Sequence, residues 1–302
     1  MKKVVIFGHA GFSGSFMIDY LLNHIQEITI FGADKNKSKF PITEYQIDIT
    51  NFKQVNSCIK RIQPDYIINL AGINYSKDPL MFYTINVFPV INIINSINVN
   101  HLYNATLLLI SSSAIYGDTG NHPISENSYL KPLNVYGLSK LAMEQLIPIL
   151  NENNKCKIVI ARTFNLIGPG LHRNFSVSSF ISQLIKIKNS NKKLGCLKTG
   201  NLKPHRDFID VRDAVKAYWT ILTKGEPGEI YNIGSGKSVE MKKILDIIIE
   251  QMNVKVKIET EDKLVRTNDI MYSQADITKI KNLGWKPEID LNTSISDMIK
   301  YF

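Results

Sequence analysis

Seven residues near the start of the chain, Gly8-His9-Ala10-Gly11-Phe12-Ser13-Gly14, restrict its fold more than any other stretch. They follow the apolar run Val4-Val5-Ile6-Phe7 and precede an amphipathic segment at 13–23, so glycines spaced GxxGxxG join a strand to a helix. Glycine lets backbone approach backbone or a pyrophosphate there, and the helix N-terminus offers unpaired N–H groups to an anion. A glycine turn in this place opens a βαβ series, and the sequence continues as one. Short apolar runs at 28–32, 66–70, 106–111 and 157–162 alternate with helix-spaced stretches at 51–61, 79–98 and 135–150. That is the pattern of an α/β protein with a doubly wound parallel sheet. Pro148 is expected to interrupt the last of these helices near its end.

Beyond residue 162 the regularity loosens, with Gly168-Pro169-Gly170 and Lys203-Pro204-His205 marking loops. Helices are expected at 212–223, 239–251 and 291–301, and strands at 208–211 and 229–232. The chain therefore divides into a nucleotide-binding part, 1–164, and a substrate-binding part, 165–302, with some return of the second to the first. At 302 residues it can bury a large core without disulfides. Cys58, Cys156 and Cys196 are scattered and odd in number, which reads as reduced, structural thiols with no metal site. The formal charge of +9 comes from lysines spread along the chain without a basic block. We therefore expect a solvated surface and a pocket for an anionic ligand, not a nucleic-acid partner. Apolar runs fall short of the roughly 20 residues of a membrane span, and the first one ends at Gly8, too early for a signal peptide. The expected location is the cytoplasm.

At the nucleotide end, Asp34 closes the second strand where a carboxylate can accept hydrogen bonds from an adenosine ribose. This favours NAD over NADP, although Lys35 and Lys37 could neutralise a 2′-phosphate. Asp48 and Ile49 could meet adenine with a carboxylate and an aliphatic wall, and Leu70, Ala71 and Gly72 leave room beside the nucleotide. All lie at carboxyl ends of strands, where open α/β sheets bind ligands.

At the reacting end, Tyr136-Gly137-Leu138-Ser139-Lys140 sets a phenol and an ammonium on one helix face. In a chain with 13 tyrosines that spacing arises by chance, and context must carry it. Ser111-Ser112-Ser113, at the end of the fifth strand, supplies the context: a hydroxyl to hold a substrate oxygen while the tyrosine gives or takes its proton. A free phenol titrates near 10, so bringing it to 7 takes roughly 4 kcal/mol of differential stabilisation. Lys140 and a positive nicotinamide ring are the expected sources.

With these residues the chain resembles the extended short-chain dehydrogenases/reductases of the nucleotide-sugar epimerase/dehydratase type, nearly end to end. The resemblance implies a Rossmann fold that binds NAD(H) or NADP(H) through Gly8, Gly11, Phe12, Ser13, Gly14, Asp34, Asp48, Ile49, Leu70, Ala71 and Gly72. It also implies a catalytic group of Ser112, Tyr136 and Lys140, the last two touching cofactor as well, with Asn86 holding the active-site helix. On the substrate side it implies contacts of a nucleotide-diphosphate sugar with Ser112, Ser113, Asn165, Arg206 and Arg266. The arginines suit phosphate because their planar donors pair with its oxygens.

Within the family, Phe164 to Gly170 and Gly200-Asn201-Leu202 before Arg206-Asp207-Phe208 resemble the branch that reduces GDP-4-keto-6-deoxy-D-mannose to GDP-D-rhamnose for surface polysaccharides. Dehydratases of the family carry an Asp-Glu pair where this chain has Ser113 and Ala114, and 3,5-epimerising members need a Cys and a His pair that Ser112-Ser113-Ala114 does not begin. Hydride chemistry at C4 remains, as net reduction or as a 4-epimerisation with retained cofactor. A cofactor-binding regulator without chemistry is the reading of another class, and members of that kind lose the tyrosine or lysine present here. The resemblance further implies a homodimer formed through the helices at 79–98 and 135–150.

Overall fold

Seven parallel strands form the centre of the computed structural model, which describes residues 1–151, 156–190, 194–265 and 269–302. In chain order the first half comprises β1 (Lys2–Phe7), α1 (Phe12–His24), β2 (Ile28–Asp34), β3 (Thr43–Gln46), α2 (Phe52–Ile62), β4 (Tyr66–Asn69), α3 (Leu80–Asn86), α4 (Phe88–Val99), β5 (Thr106–Ser112), α5 (Val135–Leu150) and β6 (Lys157–Thr163). The remainder comprises β7 (Asn165–Ile167), α6 (Ser176–Lys188), β8 (Gly195–Thr199), β9 (His205–Asp210), α7 (Val211–Lys224), β10 (Ile230–Ile233), β11 (Ser238–Glu240), α8 (Met241–Met252), β12 (Val256–Thr260), α9 (Thr278–Lys281) and α10 (Leu291–Tyr301). The sheet order is β10-β6-β5-β4-β1-β2-β3, so the winding reverses between β1 and β4. Such a reversal leaves a crevice above the carboxyl ends of the strands.

The strands are apolar on both faces because both are covered. Val4, Ile6, Leu108 and Val159 pack on Met17, Ile18 and Leu21 of α1 and on Tyr218 and Ile221 of α7. Their neighbours Val5, Phe7, Leu107 and Leu109 face the other way, onto Val55 and Ile59 of α2, Ile93 of α4, and Met143 and Ile147 of α5. The period of two along each strand thus meets helices on either side. A third cluster joins α6, α8 and α10 through Phe180, Leu184, Ile244, Ile248 and Ile295. The second part also returns to the first: β10 pairs with β6, and α7 lies beside α1.

Four expectations need correction. Pro148 does not interrupt α5, which runs on to Leu150. A proline in the last turn forfeits a single internal bond, and the buried Met143 and Ile147 hold that turn on the sheet. The helix expected at 79–98 is two, divided at Val87, with Pro89 in the first turn of α4, where its missing N–H is tolerated. Leu80–Val99 together is long and apolar enough on length and composition to cross a membrane, and half of it is buried inside the fold. Cys58 and Cys156 are buried structural thiols as expected, whereas Cys196 is exposed on β8.

Candidate active site

Two positions of the glycine loop, Gly8 and Gly14, admit only glycine. Gly8 has φ +80°, and a Cβ there would stand 2.5 Å from the amide nitrogen of Ala71, in the segment after β4. A Cβ on Gly14 would stand 2.2 Å from the carbonyl oxygen of Gly8. Gly11 is the N-cap of α1, with no side chain bonded to the cap and no acidic residue in the first turn. Phe12 and Ser13 open that helix, so its free N–H groups face the crevice as an anion site. This cradle fits a dinucleotide pyrophosphate, which the loop, with Leu70, Ala71 and Gly72 beside it, would hold.

At the end of β2, Asp34 accepts a hydrogen bond from the Asn36 amide at 2.9 Å on one oxygen. Asp48 is more engaged than expected of an adenine contact. Its Oδ1 accepts from the Thr50 amide at 2.9 Å and hydroxyl at 2.7 Å, and Lys35 pairs with its Oδ2 at 3.0 Å. The bond from Thr50 is the main cause holding this carboxyl below its ordinary range. Lys35 is thereby tied to Asp48. Ile49 is anchored by its carbonyl, which accepts from Asn92 at 3.0 Å. His9, inside the loop, is fully buried and bonds Glu44 of β3 at 3.0 Å.

Above β5 the residues expected to react come together. Ser112 ends the strand in extended conformation, and its hydroxyl accepts from the Ala114 amide at 3.2 Å as the chain turns through Ser113–Ile115. The N-terminus of α5 meets that turn so closely that a Cβ on Gly137 would lie 2.5 Å from the Ala114 carbonyl oxygen. Asn134 caps the helix by accepting from the Gly137 amide at 2.8 Å. Tyr136 is thus set against Ser112, with which it shares a hydrogen bond, and its ring centroid lies 6.2 Å from that of Phe82.

One turn on, Lys140 is buried and donates to the Ile110 carbonyl at 2.8 Å. Asn86 fixes this arrangement from α3: its amide bonds both backbone groups of Ile73 and donates to Ser139 Oγ at 3.0 Å, and Ser139 donates to the Tyr136 carbonyl at 2.7 Å. Gly72 passes between, where a Cβ would come 3.1 Å from Asn86 Oδ1 and 3.5 Å from Lys140 Nζ.

The electrostatics differ from expectation. Burial pushes the Tyr136 phenol above its ordinary value, and the hydrogen bond with Ser112 opposes it only in part. Burial also brings the Lys140 ammonium down to about 8, against the pull of Glu144. The lysine therefore does not convert the tyrosine into a base in the protein alone. At neutral pH the phenol is protonated, a proton donor in waiting.

Asn165 opens β7 and is exposed, and β7 pairs in parallel with β9, which carries Arg206. Arg206 Nη2 pairs with Asp269 at 2.7 Å, and Nη1 donates to the carbonyls of His205 and Ile270. Arg266 lies outside the described residues. Sequence reasoning missed Ser139 and the buried pair of Glu144 with Arg162, at 2.7 Å. The signal was present: 136, 140 and 144 form one helix stripe, and a carboxylate on a buried stripe requires a partner.

Known proteins share this arrangement of elements. The profile of the NAD dependent epimerase/dehydratase family matches residues 4–234. The GDP-6-deoxy-D-mannose reductase of Pseudomonas aeruginosa is 30% identical over 77% of this chain and 78% of its own. The GDP-6-deoxy-D-talose 4-dehydrogenase of Aggregatibacter actinomycetemcomitans is 29% identical over 93% of this chain and 90% of its own. Among solved structures, RMD from Pseudomonas aeruginosa complexed with NADPH superposes with a TM-score of 0.88 at 26% identity, covering 100% of this chain and 98% of that one.

Proposed function

Because the chain belongs to the NAD dependent epimerase/dehydratase family, we propose that it reduces the 4-keto group of a GDP-linked 4-keto-6-deoxy hexose, giving GDP-D-rhamnose or a close analogue. Both similar enzymes described above are named for GDP-6-deoxy sugars, one as a reductase and one as a 4-dehydrogenase. The reduced nicotinamide, when bound, supplies the hydride for C4. As the carbonyl oxygen gains charge, Tyr136 gives it the phenolic proton and Ser112 hydrogen-bonds it. Lys140, still charged at neutral pH, favours departure of that proton, and Asn86 and Ser139 keep the helix in register. Hydride and proton together complete the addition across C=O. Arg206, already oriented by Asp269, offers its guanidinium to the diphosphate.

The observation that carries this reading is a phenol kept in its acid form beside Ser112 and Lys140, with Ser113 and Ala114 where elimination would need an acid pair. The protein is incubated with GDP-4-keto-6-deoxy-D-mannose and NADH, then NADPH. Loss of reduced cofactor matched to product supports reduction. Scrambling of C4 without net oxidation identifies an epimerase instead, and binding without either identifies a regulator.

The active unit in this proposal is a cytoplasmic homodimer. Leu80 and Met81 on α3, Phe88 on α4 and Leu138 on α5 are large apolar side chains left exposed, Leu80 by 71%. Light scattering on L80D tests it: a dimer that survives the added charge refutes this interface.

A further inference from the structure

Glu144 follows Tyr136 and Lys140 on the same stripe of α5, is 6% exposed, and has no part in the reduction described. A buried carboxylate is costly unless paired and hydrogen-bonded. Arg162 on β6 provides the pairing, with Nε bonded to both carboxylate oxygens at 3.2 Å and Nη2 to one at 2.7 Å. Its Nη1 donates to the Tyr116 hydroxyl at 3.0 Å and to the Glu126 carbonyl at 2.8 Å, and its guanidinium lies 5.1 Å from the Tyr116 ring centroid. Tyr116 donates to Asn232 Oδ1 at 2.7 Å, and the backbone N–H of Asn232 donates to Glu126 Oε1 at 2.8 Å. The carboxylate is thus locked in place from β6, β10 and the segment between β5 and α5.

Apolar side chains of similar volume would hold the fold as well as a buried ion pair does, or better. The charge therefore calls for a use, and Lys140 stands one turn away on the same buried stripe of α5. We infer that Glu144 is a positioning residue for this reaction: fixed by Arg162 one helix turn beyond Lys140, its carboxylate sets the field in which the Lys140 ammonium keeps its proton, and so keeps Tyr136 competent to give up its own.

The ionisable groups about this stripe are Tyr136 and Glu144 on α5, Arg162 on β6, Tyr116 after β5, Glu126 beyond it and Tyr218 on α7. α3 contributes the uncharged Asn86, and β5 contributes hydroxyls and the Ile110 carbonyl. Of the charged groups, Glu144 is the one that opposes the effect of burial on Lys140.

The inference rests on the proposed reduction only for its kinetic arm. Protein labelled with ε-¹³C lysine is titrated by NMR without substrate, and the Lys140 signal is assigned by its loss in K140M. The wild-type midpoint is expected near 8. In E144Q it falls by about one pH unit, whereas E144D, which keeps the charge, holds it within a few tenths. If E144Q does not fold because Arg162 is left unpaired, E144Q/R162Q removes both charges and is expected to show a fall in the same direction but smaller, because a cation is lost with the carboxylate.

Where turnover is measurable, the alkaline limb of kcat moves down by the same amount and KM for the sugar nucleotide does not change. A folded, cofactor-binding E144Q or double variant with the wild-type Lys140 midpoint overturns the inference. So does an E144D midpoint that falls as far as that of E144Q. A wild type that does not reduce the keto sugar defeats the proposed function, while the titration still decides the role of Glu144.

Discussion

Replacing Lys140 should make the protein more stable. Lys140 titrates at about 8 in the fold against an ordinary 10.5, so its charge is disfavoured by burial. At 1.36 kcal/mol per pH unit, the fold is penalised by about 3 kcal/mol wherever the group is protonated in both states. Methionine keeps the unbranched stem and carries no charge. Its cost is the bond to the Ile110 carbonyl, about 1 kcal/mol, so K140M should gain about 2 kcal/mol. With an unfolding entropy of about 2.1 cal/mol/K per residue, that raises Tm by about 3 °C.

The pH dependence follows from the direction of the shift. Below pH 8 the lysine is charged both folded and unfolded, and the variant has its whole advantage. Between 8 and 10.5 the folded wild type sheds its proton and the advantage shrinks; above that window it is gone. Calorimetry of both proteins at pH 7, 9 and 10.5 measures this, alongside turnover, which K140M should lose. A K140M no more stable than wild type at pH 7, or an advantage constant across the window, refutes the reasoning.

Three other perturbations have definite outcomes. Y136F should lower kcat by at least about 10²-fold, the size of a lost general acid, while NADH affinity by fluorescence titration stays within about twofold; near-normal turnover would remove the phenol from the mechanism. G14A puts a methyl 2.2 Å from the Gly8 carbonyl oxygen, and should abolish cofactor binding in calorimetry, so unchanged affinity would show that the loop is no cradle. N86A strips three hydrogen bonds from the α3–α5 junction and should cost about 3 kcal/mol by denaturant unfolding; a cost below 1 kcal/mol would mean that Asn86 does not hold the active-site helix.

The sequence was most readable where one physical demand dominated. The glycine loop, the strands and α1, α2 and α5 were evident because strands buried on two faces and amphipathic helices leave different periods. Asn86, Ser112, Tyr136 and Lys140 were evident from spacing together with resemblance, and they meet in space. The second part was read less well. The buried residues Val177, Phe180, Ile181 and Leu184 do mark α6, but β8 and β12 are short strands that, among the described residues, form a separate two-stranded sheet. No periodicity announces such a pairing. Arg162 lay at the end of a run read as a strand, and its bond to Glu144 joins elements whose contact only the folded chain defines.

The protonation of the site also bears on the direction of the chemistry. A 4-epimerase must take a proton from a sugar hydroxyl and later return one, so its phenol has to serve as base and as acid. Here burial raises Tyr136, and the same burial weakens the hold of Lys140 on its own proton near pH 8. Making the phenolate at pH 7 would cost more than about 4 kcal/mol from an ordinary value of 10, before any effect of burial. Donating the proton to a carbonyl oxygen that is becoming an alkoxide has no such cost, because the acid form is already the populated one. In the acid form that burial favours, Tyr136 suits the half of the family's chemistry that consumes a ketone. Glu144 fits the same economy: by holding Lys140 charged, it supplies the positive field that the departing proton needs without first making the tyrosine a base.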